Sequence, residues 1–171
     1  MQRTLTALGI AAAMCLLSIT PAGACGDKSL RIGRGPRFQR KMQPATVLIY
    51  LPLRATESSG TSCLEPIAPA LQKFLNDRGL KSRRVHGPDL VESLNSGERY
   101  DIVFMDLTEA GGLQNQIDAS AAKPVVVPVA TRKMNAQVMA AKKRYASVVK
   151  DVTKAEQYLD AIEDAMRSRG R

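Results

Sequence analysis

Three stretches of β-branched and apolar residues run almost without polar interruption: Thr46-Val47-Leu48-Ile49-Tyr50-Leu51, then Ile102-Val103-Phe104-Met105 inside residues 101–107, then Val125-Val126-Val127-Pro128-Val129-Ala130. A strand wetted on one side alternates polar and apolar residues. A continuous apolar run instead marks a strand covered on both faces, the situation in parallel sheets sandwiched by helices. Pro128 cannot donate to a ladder, so the third run belongs near a sheet edge or is distorted there.

Helical spacing fills the intervals. Leu64, Ile67, Ala68, Leu71 and Leu75 share one face, with Ser62-x-x-Glu65 as a capping box and Gly79 as the stop. A short strand at 82–85 precedes a helix at 88–96, with Pro88 in its first turn and Gly97 past its end. Later come a helix at 134–143, a strand at 146–150 and a last helix opened by Thr153-x-x-Glu156, with Ala155, Tyr158, Leu159, Ile162, Ala165 and Met166 on its apolar face. The expected fold is α/β, an open five-stranded parallel sheet with helices on both faces and a ligand crevice beyond the carboxyl ends of the strands. The 171 residues suffice for one such domain plus appendages, not for two domains.

The appendages are at the front. Arg3 precedes the apolar run Leu8-Gly9-Ile10-Ala11-Ala12-Ala13-Met14-Cys15-Leu16-Leu17, then Pro21 and Ala22-Gly23-Ala24. The run is shorter than the ~20 residues that span a bilayer, and the small residues suit a signal peptidase. We read residues 1–24 as a signal peptide cut before Cys25, 25–44 as a basic arm and 45–171 as the α/β domain, with a periplasmic or secreted location and no membrane span.

Cys15 leaves with the signal, and Cys25 and Cys63 remain in a compartment that permits disulfides. A Cys25–Cys63 bridge is the expected state. Its rivals are a lipid anchor on Cys25, against which Ala22 stands where bacterial lipoproteins carry a bulky aliphatic residue, and two unbridged thiols. The arm carries Lys28, Arg31, Arg34, Arg37, Arg40 and Lys41 against Asp27. Arginines at every third position line one edge of an extended three-fold chain. They form either an anion-binding strip for lipid headgroups, a polyanionic glycan or an acidic protein, or a solvated linker. Nucleic acid is not expected, since the export signal removes the usual target and Phe38 is the arm's one base-stacking side chain.

Chemistry is thinly supplied. With no Trp and His86 as the single histidine, neither a zinc cluster nor a Ser-His-Asp set can be built, and His86 reads as a loop residue. Cys63 lacks an evident activating partner. Asp101, Asp106 and Glu109 are candidates for a carboxylate pair, but Asp101 and Asp106 bracket one strand, roughly 16 Å apart, beyond glycosidase geometry. The loop Thr56-Glu57-Ser58-Ser59-Gly60-Thr61-Ser62 can offer backbone N–H groups to an anion at a helix start.

Residues 101–107, Asp-Ile-Val-Phe-Met-Asp-Leu, resemble the third strand of the receiver domains of bacterial response regulators, and Tyr145-Ala146-Ser147-Val148-Val149-Lys150 with the following helix resembles their fifth strand, lysine and last helix. The resemblance covers roughly residues 46–169. It implies a flavodoxin-like sandwich with Asp106 at the phosphoacceptor position and Lys150 at the lysine position. It also exposes departures. Tyr50-Leu51-Pro52 stands where receivers carry an acidic pair for Mg²⁺, and the hydroxyl after the fourth strand falls on Val129 or, two residues on, Thr131. Phosphoryl transfer needs that cation, so the acceptor site is degenerate, with Asp106 and Lys150 expected as an inherited ion pair. An arginine of the arm, Arg31, Arg34, Arg37 or Arg40, is expected to fold back near Asp106. The start Cys25-Gly26-Asp27-Lys28 resembles that of uncharacterised secreted bacterial proteins. The expected function is an exported, non-catalytic, receiver-like interaction module that uses no cofactor. The alternative is a small anionic-ligand or flavin binder using Thr56, Ser58, Ser59, Gly60, Thr61 and Ser62, which loosely resemble a flavodoxin phosphate loop.

Overall fold

The computed structural model describes residues 44–53 and 62–170. The three apolar runs form β1 (Thr46–Leu51), β3 (Ile102–Asp106) and β4 (Val125–Val129), and the more polar β2 (Lys81–His86) joins them. All pairs are parallel in the order β2-β1-β3-β4, with Thr46 opposite Lys81, Val47 opposite Ile102 and Ile102 opposite Val125. The apolar runs occupy the centre and one edge, and the cationic strand lies on the other edge. The chain steps from β1 outward to β2 and returns to β3 on β1's opposite side, so a switch point opens at the carboxyl ends of β1 and β3.

Five helices, α1 (Ala68–Asp77), α2 (Asp89–Asn95), α3 (Leu107–Asp118), α4 (Asn135–Ala141) and α5 (Ala155–Arg169), complete an α/β architecture compatible with a flavodoxin-like fold. Alternate residues of the strands feed two cores. Val47, Ile49, Phe104 and Val127 pack with Leu71, Leu75, Tyr158 and Ile162 of α1 and α5. Leu48, Tyr50, Val103 and Met105 pack with Leu90, Leu94, Ala110 and Ile117 of α2 and α3. Phe104 meets Tyr158 edge to face, centroids 5.2 Å apart. Among the described residues no helix is long and apolar enough to cross a membrane.

The helix stops behave as expected at Gly79. Its φ of +80° ends α1 in a Schellman turn, in which Leu80 N–H reaches Leu75 O at 3.1 Å and Gly79 N–H reaches Asn76 O at 2.9 Å. Other expectations need correction. Ser62 Oγ does accept from Glu65 N–H at 3.2 Å, but this closes a turn; α1 itself begins only at Ala68, with Pro69 in its first turn. Thr153 does not cap α5: its hydroxyl donates instead to Asp151 Oδ1 at 2.8 Å, and the N-cap is Lys154. His86 is not in a loop but ends β2, opposite Leu51. Helix α3 was not anticipated.

The largest correction is the fifth strand. Residues 146–150 make one isolated parallel bridge, Val149 to Val129, so among the described residues the sheet has four strands rather than five. Pro128 supplies the reason. Val125 N–H points to β3, donating to Asp101 O, while Ala130 N–H points outward to Val149 O. By the alternation of a strand, the nitrogen of Pro128 also faces outward, where it has no hydrogen to offer. The outer edge of β4 therefore supports Val149 and little more.

Candidate functional site at the carboxyl ends of the strands

Asp106 is the last residue of β3 and the N-cap of α3, but its side chain makes no capping bond. It turns toward Cys63, on the segment between β1 and α1. Cys63 Sγ lies 2.6 Å from Asp106 Oδ1, the thiol donating, and 3.8 Å from Val129 O. Both residues are buried, Cys63 at 8% and Asp106 at 5% exposure. Residues from the entry to α1 and the ends of β3 and β4 thus converge at the switch point. An aspartate at a helix start normally satisfies an orphan amide. Here it forgoes that bond for a thiol.

The surroundings are acidic and buried. Tyr158, fully buried below the pair, donates from its hydroxyl to Val152 O at 3.0 Å. Burial, and then the electrostatic influence of Cys63, Asp106 and Asp151, push its phenol well above the usual range, so it acts as a neutral donor. Asp151 is buried beside it. Its Oδ2 accepts from Arg132 Nε at 2.6 Å and its Oδ1 from the amide and hydroxyl of Thr153 at 3.1 and 2.8 Å. Burial pushes this carboxyl up, but the Thr153 bonds and the Arg132 guanidinium outweigh it, and the net shift is downward. Neither Arg132 nor Asp151 was singled out from sequence. A buried acid following a strand end was the available signal.

Lys150 is not in this group. It is exposed, and its amide, like that of Asp151, donates to Gln157 Oε1, at 3.0 and 3.1 Å. Its ammonium stands beside that of Lys142, which is held below its ordinary value by the like charge. The expected Asp106–Lys150 ion pair is absent among the described residues. With the fifth strand reduced to Val149, nothing directs the next side chain over the sheet end.

Tyr50 and Leu51, where receivers carry acids, are buried. Burial and then Glu109 on α3 raise the Tyr50 phenol. Val129 is fully buried and Thr131 is the N-cap of the 3₁₀ turn Arg132–Met134. Asp101, at the opposite end of β3, accepts from Thr46 N–H at 2.8 Å and Arg169 Nη1 at 2.9 Å. It is structural and shares no site with Asp106. Among the described residues no group of three or more His, Cys, Asp or Glu side chains can hold a metal ion. Cys25, the arm residues Arg31, Arg34, Arg37 and Arg40, and the loop residues Thr56, Ser58, Ser59, Gly60 and Thr61 lie outside the described residues, and with them the Cys25–Cys63 bridge and the folded-back arm. Ser62, at the end of that loop, is buried and engaged by Glu65. No protein-family model matches the chain, and no curated protein matches it.

Proposed function

We propose that this chain is an exported, receiver-like interaction module, without catalytic turnover, in which the carboxylate at the acceptor position is closed by the side chain of Cys63. The observation that carries the reading is the Cys63–Asp106 contact: a carboxylate at 5% exposure with Sγ 2.6 Å from Oδ1 leaves no room for a phosphoryl group on that oxygen. Three features support it. The acceptor aspartate ends the strand next to β1 in a β2-β1-β3-β4 sheet, as the resemblance requires. Tyr50, Leu51 and Pro52 offer no carboxylate for the cation that phosphoryl transfer uses. The lysine expected to neutralise a phosphoryl group is on the surface beside Lys142. Export rests on Arg3, the apolar run after it and Ala22-Gly23-Ala24.

A magnesium titration of the labelled full chain, followed by amide NMR, tests the reading. The expected result is no saturable shift of the Tyr50, Leu51 or Asp106 amides at millimolar cation. Saturable, Asp106-dependent shifts at those amides would overturn it.

A further inference from the structure

Strand β2 is the edge of the sheet opposite β4, and its sequence, Lys-Ser-Arg-Arg-Val-His, carries Lys81, Arg83, Arg84 and His86 on an element whose one buried residue is Val85. Lys81 N–H donates to Ala45 O at 3.1 Å and Gly87 N–H to Leu51 O at 2.9 Å, so the odd-numbered residues face β1. Ser82, Arg84 and His86 therefore present their N–H and C=O groups outward. The first of these is already closed. Asn76 Oδ1 accepts from Ser82 N–H at 3.0 Å and Gln72 Nε2 donates to Ser82 O at 3.0 Å, so two side chains of α1 stand in for a neighbouring strand. No side chain of α1 bonds the strand beyond that point, and among the described residues nothing pairs with the outward groups of Arg84 and His86.

We infer that this open half of the β2 edge is a docking site for an extended, acidic segment of a partner protein, which adds to the sheet as a further strand. This rests on the reading of the chain as an interaction module and supplies its face. Charge selects the occupant. Arg84 and His86 share the α1 face of the strand, and Lys81 and Arg83 share the other, so carboxylates on either side of an incoming strand meet cations. Among the described residues the acid paired with this strand is Glu98, 3.4 Å from Arg83 with both side chains more than half exposed, a weak hold. A second copy pairing through the same edge would set cation against cation. The chain's own arm, with Lys28, Arg31, Arg34, Arg37, Arg40 and Lys41, has the same sign.

The test uses the full chain and an end-blocked synthetic peptide of alternating Glu and Val, with a Lys–Val peptide as control. Binding is read by fluorescence anisotropy and edge pairing by hydrogen exchange. The Glu–Val peptide is expected to bind saturably and to slow exchange of the Arg84 and His86 amides about tenfold or more. Arg84→Pro removes an outward donor and leaves the inward donors of Lys81, Arg83 and Val85, and is expected to weaken binding about tenfold. Arg84→Glu, which keeps the backbone intact, should do the same, with circular dichroism confirming the fold of both variants. The proposal is overturned by absence of saturable binding, by equal binding of the Lys–Val peptide, or by binding that leaves both amides unprotected. It is also overturned if the two amides are already protected in the free protein, since the chain itself or a second copy then covers the edge. An inert Asp106 with no peptide binding removes this edge alone. A phosphorylated Asp106 with peptide bound removes the closed-acceptor reading alone.

Discussion

The two ends of β3 each carry an aspartate, and the two are used in opposite ways. Asp101, at the amino end, accepts the amide of Thr46 where β1 starts and the guanidinium of Arg169 where α5 finishes; Arg169 donates further to the carbonyls of Tyr100 and Ala122, both at 3.3 Å. One carboxylate thus joins segments 55 and 68 residues away. Asp106, at the carboxyl end, is more buried but receives a thiol, a weak donor, and declines the cap of α3. A buried carboxylate with so little compensation is expensive. The amino end is finished for stability, and the carboxyl end buries an acid that stability does not require.

Removing the amino-end stitch should have the largest effect. Asp101→Ala is expected to lower the unfolding free energy by about 1–3 kcal/mol in urea titration, because it orphans the Thr46 amide and takes from Arg169 its one charged acceptor among the described residues. Less loss would mean that the amino end is held by packing alone. Asp151→Ala comes next, at about 1–2 kcal/mol, since two of its three bonds are to nearby Thr153 and the third is to an exposed arginine. Its pH dependence has a definite sign. A carboxyl held below its ordinary 3.8 stabilises the fold fully above that value and loses the contribution as pH falls through the lower, folded value. Asp151→Asn should therefore flatten the acid limb of a stability profile below about pH 4.

Asp106→Asn should act in the other direction, leaving stability unchanged or raising it by up to about 1 kcal/mol, because a neutral amide is cheaper to bury than a carboxylate. A loss as large as that of Asp101→Ala would erase the contrast between the ends. The smallest effect belongs to Lys150→Gln, which should move Tm by less than about 2 °C while the Lys142 ammonium titrates nearer its ordinary value in NMR. A marked loss of stability would restore the ion pair with Asp106.

The strands that carry this contrast were legible because continuous apolar runs have few alternatives: β1, β3 and β4 lie where the runs are. Helix α3 was harder to see. Gly111 and Gly112 interrupt it, and only Ala110 and Ile117 are buried, although Leu107, Ala110, Leu113 and Ile117 do fall at helical spacing. The last strand failed for a nonlocal reason, an outward proline nitrogen on its neighbour. Thr153 was lost as a cap to Asp151, a competitor two residues away. The position of Asp106 at a strand end was readable. Its partner was not, because Cys63 is 43 residues distant and reaches it only once β1 and β3 are adjacent. Lys150 was misplaced along with its strand.

Cys63 closes Asp106 in the proposed module. Intact-mass analysis of the full chain after incubation with acetyl phosphate and Mg²⁺ tests it most directly. No gain of phosphate at Asp106 is expected. A stoichiometric gain of phosphate mass that disappears in Asp106→Asn would contradict it.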